Sequence, residues 1–176
     1  MKPIKTALCL ILFLLITSSL FGCGTGRQER RLAFLGKAIR AEIEADREGK
    51  SFRGILELGE VKESGERSMR LTFTAPKSLE GIIAEKRGDS LTLGVGGKTF
   101  DSPDAASALL RVGELFSDTG VLLSAKRVRS GEKNLTELTL SSSAGDRVLT
   151  LNESDRLLSI AAEDMKVRIV WIETAG

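Results

Sequence analysis

Residues 69–100 read MRLTFTAPKSLEGIIAEKRGDSLTLGVGGKTF, and their opening decides the fold. Met69, Leu71 and Phe73 alternate with Arg70, Thr72 and Thr74, the period of a strand with one face in a core. Pro76 ends that strand, because it brings no donor to a ladder. Ile82 to Arg87 and Leu91 to Val95 then flank Gly88-Asp89, and Gly96-Gly97 turns the chain into Lys98 to Phe100. Short runs with turn residues between them predict an antiparallel meander.

Upstream, Ile39, Ala41, Ile43 and Ala45 alternate with Arg40, Glu42, Glu44 and Asp46. This predicts a strand from Lys37 to Asp46, a hairpin turn at Glu48-Gly49-Lys50 and a second strand from Ser51 to Leu58. Downstream, one helix is predicted from Pro103 to Ser117. Ala105, Ala108, Leu109, Val112, Leu115 and Phe116 make an apolar stripe at helical spacing, with Ser102 as N-cap and Pro103 at the first position. Gly113 lies inside and costs about 1 kcal/mol relative to alanine, so this helix needs tertiary packing.

Five further strands are predicted: Val121 to Val128, Asn134 to Leu140, Arg147 to Leu151, Leu157 to Ala162 and Met165 to Ile172. In the last, Val167, Ile169 and Trp171 are expected on one face, with Val170 and Ile172 on the other. Apolar residues on both faces mark a strand buried on both sides or bordering a ligand cavity. Leu109, Val112, Phe116 and Trp171 are the candidate lining of that cavity. The fold class is α+β, mainly β: an antiparallel sheet packed on one principal helix.

The N-terminus supplies an address. Lys2 and Lys5 precede an uncharged run, Ala7 to Ile16, too short for a permanent span of about 20 residues. The run closes on Leu20-Phe21-Gly22-Cys23, which resembles the lipobox of bacterial lipoproteins, where cleavage precedes a cysteine that carries lipid. Residues 1–22 then form a signal peptide, Cys23 is the lipidation site and 23–31 a polar tether. Residues 32–176 form one domain, held by a lipid anchor on the extracytoplasmic face of the cell membrane.

Composition excludes several function classes. The chain holds 26 Lys+Arg and 24 Asp+Glu, and loss of Lys2 and Lys5 leaves a formal charge of zero. A balanced surface argues against nucleic-acid binding. With Cys9 in the leader and Cys23 lipidated, the domain has no disulfide. No histidine occurs, which removes Ser-His-Asp and Cys-His catalysis and histidine metal sites. Gly97-Lys98-Thr99 ends like a phosphate-binding loop, but Thr92 stands where that motif needs its first glycine. The acid pairs Asp101/Asp104 and Glu163/Asp164 read as solvated turn residues. No catalytic residue, metal ligand or cofactor is predicted, and the chain is read as a non-enzyme.

Beyond single motifs, Ala75-Pro76, Leu79-Glu80-Gly81, Gly88-Asp89 and Gly96-Gly97, followed by a helix and a C-terminal meander, form a recognisable order. In this the chain resembles small clostridial-type lipoproteins with a LolA/LolB-like, lipoprotein carrier-like fold, a group that includes the clostridial spore-germination lipoprotein. The resemblance implies a strongly curved sheet, an incomplete barrel with the helix on its concave side. It also implies binding of a lipid or acyl ligand or of an envelope protein, or partnership with a cell-wall hydrolase, for example in spore germination.

Overall fold

A computed structural model describes residues 31–116, 120–142 and 145–174. The fold described here lies within one compact unit, Phe34–Gly176. Cys23 and the leader lie outside the described residues, as do Ser117 and the C-terminal Ala175-Gly176.

Among the described residues, eleven strands and the helix that follows the sixth of them keep the predicted order. They are β1 (Ile39–Arg47), β2 (Lys50–Leu58), β3 (Met69–Ala75), β4 (Ile83–Arg87), β5 (Ser90–Val95), β6 (Lys98–Asp101), α1 (Pro103–Glu114), β7 (Val121–Ser130), β8 (Lys133–Ser142), β9 (Gly145–Leu151), β10 (Leu157–Ala162) and β11 (Met165–Thr174). All the strands belong to one antiparallel sheet in the order β6-β5-β4-β3-β2-β1-β11-β10-β9-β8-β7. The alternation predicted for β1 and β3 holds. Ile39, Ala41, Ile43 and Ala45 are buried, with Leu71 and Phe73 beside Leu56 and Gly54 on the neighbouring strands. Between β1 and β2, Glu48 and Gly49 both take positive φ, 53° and 76°, which suits a two-residue hairpin turn.

The sheet is an open, curved one, and α1 shows how far it bends. Strands β3 and β9 stand five places apart in the sheet order, roughly 24 Å if the sheet were flat. Yet α1, a cylinder about 10 Å across, touches both. A methyl group at Gly113 would meet Met69 Sδ of β3 at 2.9 Å, and Arg147 of β9 donates to the Glu114 carbonyl at 3.3 Å. Strands on either side of the sheet's middle therefore wrap the helix on its concave face.

Two details of α1 correct the expectation. Ser102 is the N-cap residue and its carbonyl accepts from Ala106 N at 2.9 Å, but its side chain makes no capping hydrogen bond. The buried stripe is also rotated. Ala106, Leu110, Val112 and Phe116 are buried while Ala105 is exposed, because Gly113 lies against Leu56, Leu58 and Met69 and draws its own face onto the sheet. Gly113 is thus a close-approach residue as well as a weak helix former.

Candidate functional site

Two buried arginines, neither of them singled out in the sequence, organise the end of α1. Arg67 donates from Nη1 to the carbonyls of Leu35 and Phe116, each at 2.8 Å, and from Nε to Gly59 O at 2.6 Å. Its Nη2 donates to Lys37 O. One guanidinium thereby ties the approach to β1, the β2–β3 connection and the helix terminus, where a cation also suits the negative end of the dipole. Arg147, also buried, adds its bond to Glu114 O. The surrounding GERSMR gave no periodic signal that would have marked Arg67 as internal.

The candidate lining residues separate into two places. Val112 and Phe116 have no exposed surface, and Leu109 is half-buried on the same helix. Trp171 is elsewhere. Ile43 pairs with Ile169 and Glu42 with Trp171, so Val170 is an extra residue, a β-bulge. The bulge moves Trp171 to the convex face beside Glu42, while Ile172, paired with Ala41, stays on the concave side. The expected sharing of one face by Ile169 and Trp171 is corrected on that ground. Trp171 Nε1 donates to Glu42 Oε2 at 2.8 Å, and the Arg40 guanidinium lies 5.8 Å from the ring centroid.

The same bulge opens a groove. Strand β10 pairs with β11 over only three rungs, Ser159–Arg168, Ile160–Val167 and Ala161–Lys166. Past Arg168 the two strands part, although β11 remains paired with β1 as far as Thr174. A second bulge lies across the gap: Leu157 pairs with Leu151 and Ser159 with Thr150, which makes Leu158 the extra residue of β10. Bulges end pairing and re-aim side chains. Between them runs a groove of about 540 Å³, walled by Leu157, Leu158, Ile169, Val170, Trp171 and Ile172. Phe34 also borders it. At its open end sits the β9–β10 turn, where Asn152 Oδ1 accepts from Ser154 N and Arg156 N, both at 2.9 Å. Asp155 and Arg156 of that turn line the groove.

No protein-family model matches the chain, and no curated protein matches it. Among solved structures it is similar to an uncharacterized conserved protein from Thermus thermophilus, at 16% identity and a TM-score of 0.49, over 86% of this chain and 89% of that one. It is similar also to a putative outer membrane lipoprotein-sorting protein domain from Vibrio parahaemolyticus, at 12% identity and a TM-score of 0.48, over 84% and 90%. A third likeness is to the Pseudomonas aeruginosa MucA/MucB complex, at 12% identity and a TM-score of 0.46, over 84% and 56%. Scores of this size assign this chain no family, ligand or partner.

What the groove can do chemically follows from its walls. Its apolar residues take up apolar groups, and from Ile169 to Thr174 no strand among the described residues pairs with β11 on the side away from β1. Among the described residues, no group of three or more Asp, Glu, His or Cys side chains is placed to hold a metal ion. No helix among them is long and apolar enough to cross a membrane. On the convex face, Glu44 accepts from both Arg53 and Arg168. Those two guanidinium hydrogen bonds, Arg168 first, hold its carboxyl below the ordinary value of 4.5.

Proposed function

We propose that this protein is a non-catalytic binding domain, tethered through lipid on Cys23 to the extracytoplasmic face of the membrane. The ligand is an apolar group or an envelope protein, and the groove between β10 and β11 is where it binds. One observation carries this reading. Two bulges, at Leu158 and Val170, part neighbouring strands of an otherwise continuous sheet and leave a groove of ligand size, lined by apolar side chains of both strands and by the polar turn residues Asn152, Asp155 and Arg156. The lipobox-like Leu20-Phe21-Gly22-Cys23 supports the address. The resemblance to the clostridial lipoproteins makes a cell-wall hydrolase, for example in spore germination, one candidate for the envelope partner.

Placing a photoreactive benzophenone residue at Val170 in the full-length protein, in intact cells, tests the site. The reading expects an adduct with lipid or protein at Val170 and none at exposed Glu132. Equal labelling at both positions contradicts it.

A further inference from the structure

We propose that the occupant of the groove is an extended polypeptide segment, added as a strand along β11 and carrying an acidic group that meets Arg156. This rests on the groove being the binding site proposed above. It goes further by choosing between an acyl chain and a backbone.

The backbone makes the choice. From Ile169 to Thr174, β11 pairs with β1 on one side, and among the described residues no strand pairs with it on the other. Backbone N–H and C=O groups seek partners. An acyl chain has none to give, whereas an incoming strand supplies both, with alternate side chains falling into the apolar walls. The two outer edges of the sheet reinforce the contrast. Edge strand β7 carries Lys126, Arg127 and Arg129, and edge strand β6 carries Lys98 and Asp101. Charges of this kind guard an edge against added strands. The inner edge reads Ile169-Val170-Trp171-Ile172, with no charge until Glu173. It is the unguarded edge.

Charge then sets the orientation. Arg156 is exposed at the open end of the groove, and its guanidinium is in no ion pair among the described residues. Its backbone is fixed through Asn152. Asp155 stands beside it, and Glu42 on the convex side is taken by Trp171. A carboxylate on the incoming segment thus finds a ready cation at Arg156.

Trp171 is the chain's only tryptophan and there is no tyrosine, so its emission reports on the groove wall. The probes are linear dodecapeptides lacking tryptophan, selected by display against the full-length protein in lipid nanodiscs, and palmitate. Selected peptides are expected to alternate apolar and polar residues, include an acid, and shift Trp171 emission saturably. N-methylation of one alternate set of peptide amides should weaken binding about tenfold, since backbone hydrogen bonds are lost, and methylation of the other set should not. Arg156→Glu, with an unchanged thermal transition, should reverse the preference from an acidic to a basic peptide residue.

If palmitate shifts the emission and peptides do not, the strand proposal falls while the groove remains a binding site. Peptides that tolerate methylation of both sets overturn it equally. Silence toward both probes removes the strand proposal and the binding reading together.

Discussion

The guanidinium of Arg67 and the carbonyl of Phe116 are joined at 2.8 Å, and Arg67 is 6% exposed. That bond closes a helix whose last carbonyls have no intrahelical partner. The same side chain reaches Leu35, Lys37 and Gly59. Removing it strands several carbonyls at once. Arg67→Met should therefore lower stability by about 3 kcal/mol or more in urea unfolding, since each buried group left unmet costs about 1–3 kcal/mol. A loss under about 0.5 kcal/mol would show that the clasp is dispensable.

Phe116 tests the packing that the clasp secures. Its ring has no exposed surface on the concave side of the sheet. Truncation to alanine is expected to cost about 3–5 kcal/mol, the range for deleting a buried aromatic side chain. Chemical denaturation measures it, and an effect near zero places the ring outside the core.

Glu44 gives a pH signature. Its carboxyl is held below 4.5 in the folded protein by Arg168 and Arg53. A depressed folded value means that the contribution is fully present above the unfolded value and is lost as pH falls through the folded one. The stability difference between wild type and Glu44→Gln should thus be constant above pH 4.5 and shrink as pH falls below it. Raising salt should also reduce it, because the group faces solvent. A difference that grows on acidification contradicts the assignment.

The anchor is tested by labelling. Two acyl chains hold a protein stably at a bilayer where one holds it only marginally, at about 0.8 kcal/mol per buried CH₂. Wild-type protein grown with labelled palmitate should take up label and fractionate with membranes. Cys23→Ala should take up none and accumulate as precursor or appear in the soluble fraction. A Cys23→Ala protein that is cleaved normally and stays membrane-bound contradicts the lipid anchor.

Much of the fold was legible because its signals are local. Period-two alternation in 39–45 and 69–73, glycine turns and the Ser102-Pro103 helix start all survive folding. What escaped the sequence arises from pairing. A bulge such as Val170 shifts every later side chain to the other face, yet in sequence it is one more apolar residue in a run. Trp171 was singled out and then assigned to the wrong face for that reason. Leu158 carried no signal, since only the register of Leu157 and Ser159 against β9 exposes it. The rotation of the α1 stripe reflects Gly113, whose value lies in what it lets approach. Arg67 was unreadable because its partners are carbonyls of distant segments, and carbonyls have no sequence signature.

Amide hydrogen exchange, resolved residue by residue in the free full-length protein, tests the opening between β10 and β11 most directly. The structure predicts strong protection for the rungs that β11 shares with both neighbours, Lys166 to Arg168. Between Ile169 and Thr174 protection should alternate, with amides directed to β1 slow and those on the free side fast. Adding a selected peptide should slow the fast set alone. Uniform strong protection from Lys166 to Thr174 in the free protein would mean that the strands are joined throughout, and the proposed binding site would not exist.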